Sequence, residues 1–121
     1  MRAGTKSSKH TAINDQLLEL IARRFKALSE PARLKLIMAL ERGERNVTDL
    51  VSATGVSQAN VSRHLQQLAR AGIVRRRKVG VAAFYGISDP AIFDLCDHVC
   101  GSLRQQIKRE VDAARMLSGI D

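Results

Sequence analysis

Four apolar residues near the start of the chain lie three or four positions apart: Leu17, Ile21, Phe25 and Leu28. This spacing predicts a helix over residues 14–28 with one apolar face. Pro31 then favours the first turn of a second helix, which we expect to extend to about Arg42 and to end at Gly43. Its expected buried residues are Leu34, Ile37, Met38 and Leu40.

Residues 47–71 have the pattern of two helices joined by a tight turn. Gly55 can adopt the left-handed conformation that ends one helix, and Ser57 can cap the N-terminus of the next. Leu50 and Val51 give the first helix an apolar face. The apolar positions of the second helix are Val61, Leu65 and Leu68. This arrangement predicts a helix-turn-helix.

The segment 73–87 has β-branched and aromatic residues on both sides of Gly80, which predicts two short strands around a turn. A short extended piece at residues 45–47 is expected to add a third strand. After Pro90, a long final helix is expected over residues 90–117. The expected fold is therefore mainly α, in the α+β sense: a winged helix-turn-helix with about five helices and a two- to three-stranded β wing.

The chain contains two prolines and no low-complexity linker, so residues 13–118 are expected to form a single domain. Residues 1–12, which are basic and rich in small side chains, are expected to be a disordered arm. No run approaches the roughly 18 apolar residues that a membrane span needs, and the first ten residues lack the apolar core of a secretory signal. We therefore expect a cytoplasmic protein with no membrane partner.

Charge points to a polyanionic partner, because 20 Lys and Arg stand against 12 Asp and Glu, for a formal net charge of +8. The polar face of the second helix of the pair has amide, hydroxyl and basic side chains, which suit base edges and phosphates. Its members are Ala59, Arg63, Gln66 and Arg70, flanked by Gln58, Asn60, Ser62 and Gln67.

Four cations on the first wing strand are expected to lie along the phosphate backbone: Arg75, Arg76, Arg77 and Lys78. The alternative interpretation is a solvated helix face and a charged strand edge that prevents aggregation.

The last helix has an apolar seam of residues three and four positions apart: Phe93, Cys96, Cys100, Leu103 and Ile107. Together with the first helix it carries more apolar surface than a small central unit can cover. We therefore expect a homodimer through the first and last helices. Two-fold symmetry would place two recognition helices about one DNA turn apart, so the expected partner is a double-stranded operator with an imperfect inverted repeat.

Three segments carry a resemblance to a known family: LSEPARLKLIMAL at residues 28–40, TDLVSATGVSQANVSRHLQQLARAGIV at 48–74, and FYGI at 84–87. Together they resemble the ArsR/SmtB family of winged helix-turn-helix transcriptional repressors, over roughly residues 25–87. The resemblance implies a dimer that represses its own operon and releases DNA when an inducer binds.

The resemblance also implies DNA contacts by Ser57, Gln58, Ser62, Arg63 and His64, with Ala59 and Asn60 close by. His64 lies on the core-facing flank of its helix, so a structural histidine is the alternative there. Val81 stands where these repressors commonly have a basic residue, which departs from the family pattern.

Two metal sites of such repressors are absent from this chain. Asn46 and Thr48 stand where a cysteine pair would lie, and Asp97 directly adjoins His98 where a D-x-H motif would be needed. What remains is Cys96 and Cys100, which share a helix face but are too far apart there for an undistorted disulfide. They could hold a thiophilic ion such as As(III), meet the same pair of a partner subunit, or respond to oxidation or persulfide. The alternative is that both are inert interface residues.

The sequence has no C-x-x-C motif, Gly-rich phosphate loop or acidic metal cluster, so we do not expect an enzyme and assign no certain cofactor. The interpretation that fits best is a dimeric DNA-binding autorepressor that senses its inducer at the two cysteines. Two alternatives stay open: a repressor of the same kind without cysteine sensing, and a non-specific nucleic-acid-binding protein.

Overall fold

The computed structural model describes residues 13–119, which form five helices and three strands. In chain order these elements are α1 (Asp15–Ala27), α2 (Pro31–Ala39), β1 (Arg45–Asn46), α3 (Val47–Thr54), α4 (Gln58–Arg70), β2 (Val74–Val79), β3 (Ala82–Ile87) and α5 (Ala91–Ser118). The predicted winged helix-turn-helix is confirmed. The arm predicted for residues 1–12 lies outside the described residues.

The chain divides into two compact units, one that ends at Ser88 and one that begins at Asp89. The first contains α1 to β3 and the second contains α5. The expectation of a single domain over residues 13–118 stays a prediction. None of the helices within residues 13–119 has the length and apolar content of a membrane span.

Short polar side chains cap three of the four helices of the first unit, α1, α3 and α4. The side-chain oxygen of Asn14 accepts from the backbone N–H of Leu17 at 2.9 Å and so caps α1. Ser57 caps α4 in the same way, through the N–H of Asn60 at 3.3 Å. Between α3 and α4, Gly55 has a φ of 75°, the left-handed conformation that glycine adopts without a steric cost. The predicted turn of the helix-turn-helix is confirmed at these two positions.

The core of the first unit lies between the helices and one face of the sheet. Its largest fully buried side chains come from α2, α3, α4 and the start of the wing: Leu36, Ile37, Leu40, Leu50, Val61, Leu65, Leu68 and Ile73. The apolar stripe predicted for α4 is thus confirmed at all three of its positions. This burial fixes which side of α4 remains exposed.

Helix α2 ends at Ala39, earlier than the predicted Arg42. Leu36 is fully buried, while Met38 is 44% exposed, so the prediction of a buried Met38 is wrong. Positions 36 and 38 are about 200° apart around a helix, and only one of them can face the core. Met38 instead lines an open groove of about 680 Å³ between α2 and α3.

Helix α1 leaves most of its apolar stripe exposed. Leu28 at its C-terminal end is buried, but Phe25 is 53% exposed and Leu17 is also exposed. Large apolar side chains at exposed helical positions are typical of a surface that another chain covers.

The three strands form an antiparallel sheet in the order β1-β3-β2. β2 and β3 join through Gly80 and Val81, and the φ of 62° at Gly80 suits a tight hairpin turn. Tyr85 pairs with Arg76 on one side and with Arg45 on the other. The predicted wing and its third strand are therefore confirmed.

Candidate nucleic-acid interface

One side of α4 is exposed because its opposite side packs in the core. Four exposed residues at spacings of four, three and four form a continuous stripe, here called the recognition face: Ala59, Arg63, Gln66 and Arg70. Gln58 and Asn60 are also exposed, whereas Ser62 and Gln67 are half-buried. The recognition face therefore presents two arginines and a glutamine on a helix whose orientation is fixed by burial.

Two hydrogen bonds order the N-terminal part of this surface. Nη2 of Arg63 donates to Oδ1 of Asn60 at 3.1 Å. Ser57 uses its hydroxyl oxygen as the helix cap, which leaves its O–H free to donate to a further acceptor. An arginine with several unused N–H donors suits a guanine edge or a phosphate.

His64 does not belong to this surface. Its side chain is only 3% exposed, and its Nδ1 accepts a hydrogen bond from Nε of Arg33 at 3.1 Å. Its place on the core-facing flank of α4 points it toward α2, which favours the structural histidine over a DNA contact, and the DNA contact stays a prediction. Arginine can only donate, so Nδ1 has no proton and the ring is the neutral Nε2–H tautomer. Burial lowers the pKa of His64, and the charges of Arg63 and Arg33 act in the same direction.

Arg33, in α2, connects α1 and α2 to α4 on the side of α4 opposite the recognition face. Besides its bond to His64, its Nη1 donates to the carbonyl oxygens of Ala27 at 3.2 Å and Lys26 at 3.4 Å. Its Nη2 donates to the carboxylate of Glu30 at 2.9 Å. The side chain is 8% exposed, so these bonds form largely away from water. The sequence reasoning missed this role, although the spacing of Glu30 and Arg33 is that of an ion pair on a helix.

The four cations of the wing fall into two pairs, because side chains alternate along a strand. Arg76 and Lys78 share a sheet face with the buried Val74 and Tyr85. On the other face, Arg77 forms an ion pair with Glu44 at 2.7 Å, and its guanidinium lies 5.6 Å from the centre of the Phe84 ring. Arg75 also pairs with Glu44, at 3.5 Å. All four cations are exposed, as expected, but Arg75 and Arg77 are already paired with Glu44 of the same chain.

In the second unit, both cysteines of α5 are free thiols. Cys96 is half-buried and Cys100 is exposed. Burial raises the pKa of the Cys96 thiol, and the charge of Asp97 raises it further. Around them α5 exposes an apolar row: Val99, Leu103, Ile107 and Val111. Among residues 13–119, no group of three or more His, Cys, Asp or Glu is placed to hold a metal ion.

An α3–turn–α4 pair followed by a β2–β3 hairpin defines the class of winged helix-turn-helix proteins. The sequence model described as "Bacterial regulatory protein, arsR family" matches residues 30–76, from the start of α2 to the first half of the wing strand β2. Together with the relatives below, this match shows that the chain belongs to the arsR family.

Three relatives illustrate the match. The "Probable mercury resistance operon repressor" of Streptomyces lividans is 43% identical over 74 residues, which are 61% of this chain and 59% of that repressor. The chain thus spans less than two thirds of that relative. The crystal structure of Mycobacterium tuberculosis Rv0081 is 33% identical with a TM-score of 0.71, over 81% of this chain and 99% of the other. A solution structure from Mycobacterium bovis, described as a homodimeric winged helix-turn-helix DNA-binding domain, is 29% identical with a TM-score of 0.68, over 82% and 94% of the two chains.

Proposed function

We propose that this protein is a transcriptional repressor that binds, as a homodimer, an inverted-repeat operator in the promoter of its own operon. The observation that carries the proposal is the recognition face. It is an exposed row of amide and basic side chains on a helix that is held by a buried stripe and by the Arg33–His64 hydrogen bond. A helix fixed in this way can enter a major groove without first ordering its own backbone.

The residues divide into those that would read bases and those that would bind phosphates. Arg63 would bridge a guanine edge and Gln66 or Gln58 an adenine edge, each pair contributing about 1 to 3 kcal/mol of discrimination. Ser57, Ala59, Asn60 and Ser62 would line the same groove. The wing would follow the phosphate backbone, above all through Arg76 and Lys78, for which no ion pair is found among residues 13–119.

Support for the dimer comes from two helices taken separately. Phe25 in α1 and the row that includes Leu103 and Ile107 in α5 are about half exposed, which is costly for large apolar side chains in water. The related M. bovis domain is described as homodimeric. A dimer through α1 and α5 would cover these surfaces and pair two recognition helices about one DNA turn apart.

Replacing Arg63 with Ala is expected to lower operator affinity by about 1 to 3 kcal/mol while leaving affinity for scrambled DNA nearly unchanged, because a base contact is lost.

Replacing Arg76 with Ala is expected to weaken binding to native and scrambled DNA alike and to flatten the salt dependence of the affinity, because a phosphate contact is lost. Fluorescence anisotropy on native and scrambled promoter duplexes at several salt concentrations measures both effects.

The reverse pattern would overturn the assignment of α4 to the groove and of the wing to the backbone. Equal affinity of the unmodified protein for native and scrambled promoter DNA would instead favour a non-specific nucleic-acid-binding protein.

We further propose that Cys96 and Cys100 sense a thiophilic ion, such as mercuric ion or arsenite, and thereby release the operator. Both thiols lie on one face of α5, four residues apart, and are free. The raised pKa of Cys96 leaves little reactive thiolate, which favours an ion that displaces the proton over an oxidant that needs the thiolate beforehand. The S. lividans relative is named for mercury resistance.

A Cys96→Ser/Cys100→Ser variant is expected to bind the operator as the unmodified protein does but to remain bound when mercuric ion or arsenite is added. Anisotropy titrations with each ion measure release, and hydrogen peroxide serves as the oxidant for comparison. His98→Gln, an exposed substitution in the same helix, is the control that should still be released. Release of the double variant by the same ions would assign the cysteines to packing alone.

A further inference from the structure

Glu44, Gly86 and Arg75 lie in one row across the three strands. Arg45 pairs with Tyr85 and Arg75 pairs with Gly86, so Glu44, one residue before Arg45, lies beside Gly86 on the opposite edge from Arg75. The central position of the row has no side chain. The carboxylate of Glu44 therefore reaches across β3 to the arginines of β2.

Two arginines share this single carboxylate. Arg77 donates through Nη2 to Oε1 at 2.7 Å and through Nε to Oε2 at 3.3 Å, the fork geometry of a strong arginine–carboxylate pair, and its Nε also lies 3.0 Å from Oε1. Arg75 approaches it through Nη2 at 3.5 Å and uses Nη1 for the carbonyl oxygen of Ile87. Both guanidinium groups are thus oriented inward, over the sheet face, although more than half of each side chain remains exposed.

Gly86 is what permits this arrangement. A Cβ atom added there would lie 2.9 Å from Cγ of Glu44, closer than Cβ atoms approach a neighbour, and 3.1 Å from Nη2 of Arg75, tighter than most such contacts. Its backbone is not in the left-handed region, so alanine would fit the strand but would displace these two side chains.

The carboxylate also changes the charge that the wing offers to DNA. The hydrogen bond from Arg77 holds the pKa of Glu44 below its ordinary value, so the carboxylate is ionised at neutral pH. Two guanidinium groups and one carboxylate leave a net charge of +1 on this face of the hairpin, whereas two unpaired arginines would leave +2.

We propose that Glu44 is a positioning residue that withholds Arg75 and Arg77 from the phosphate backbone, so that the wing binds DNA through Arg76 and Lys78. The inference rests on the proposed DNA binding and adds a restraint to it. A phosphate that approached Arg77 would have to compete with a bidentate carboxylate already in place. Glu44 thereby limits the sequence-independent part of the affinity, which phosphate contacts supply.

The test compares Glu44→Gln with Glu41→Gln, an exposed glutamate for which no ion pair is found in the described part of the chain. Both substitutions remove one negative charge. For Glu44→Gln we expect tighter binding to native and scrambled duplexes alike, and a slope of log K against log salt that is steeper by about 0.9 for each phosphate newly contacted, at most about 1.8 per protomer. Glu41→Gln should keep the original slope.

Two further variants separate the restraint from a change in folding. Gly86→Ala should steepen the slope in the same direction by a smaller amount, because it displaces Arg75 without changing the charge. Glu44→Gln/Arg77→Ala should lose about half of the gain. An unchanged or shallower slope for Glu44→Gln, in a variant whose thermal unfolding shows that it is folded, would overturn the inference. Failure of the unmodified protein to bind any DNA would instead overturn the proposed function.

Discussion

Replacing Leu103 and Ile107 with Glu is expected to convert the proposed dimer to a monomer and to lower affinity for the proposed operator by at least about 100-fold, because a dimer gains from engaging two half-sites at once. Both side chains belong to the exposed apolar row of α5 and are 51% and 58% exposed in the isolated chain. In a dimer interface their glutamate replacements would be buried without a partner charge, which disfavours association strongly.

Sedimentation velocity measures the oligomeric state, and anisotropy with a full operator and a half-site measures the loss. The control is His98→Glu/Gln105→Glu, which adds the same charge at two exposed positions on the opposite side of α5 and should leave a dimer with unchanged affinity. A double glutamate variant at positions 103 and 107 that stays dimeric would place the interface elsewhere on the chain.

The helix-turn-helix could be predicted from the sequence because its signals are local. A left-handed Gly55, a capping Ser57 and apolar residues at helical spacing each act within a few residues, and the structure confirms them. For α2 the sequence predicts an end that is too late, because residues 40–42 could continue the helix by their own propensity. Tertiary packing also decides between Leu36 and Met38, which the spacing alone does not distinguish.

The candidate site is more difficult to predict, because its fine structure depends on residues distant in sequence. Whether His64 faces DNA or the core depends on Arg33, 31 positions away. The four wing cations look equivalent in sequence, yet the strand register and Glu44, 31 positions before Arg75 and 33 before Arg77, divide them into pairs. The alternation of side chains along β2 is enough to separate the two pairs of cations. It does not identify Glu44 as the carboxylate that binds one of these pairs.

Replacing Arg33 with Ala is expected to lower the free energy of unfolding by about 2 to 4 kcal/mol, because a buried donor set is lost and its partners are left unsatisfied. Nδ1 of His64 would lose its donor, and so would the carbonyl oxygen of Ala27. In the described residues, every fully buried side-chain nitrogen or oxygen has a hydrogen-bond partner. The substitution would therefore introduce a defect of a kind that residues 13–119 do not otherwise contain.

Urea unfolding followed by circular dichroism measures this loss of stability. The control is Lys35→Ala, at an exposed position of the same helix, for which a change within about 0.5 kcal/mol is expected.

Arg33→Lys tests the geometry, since a lysine is a point charge and cannot reach His64, Glu30 and a carbonyl oxygen together. We expect it to recover only part of the stability. Because Arg33 holds α4 from beneath, the alanine variant should also bind the operator more weakly than its folded fraction accounts for. If it unfolds at the same urea concentration as the control, the network beneath the recognition helix contributes no stability.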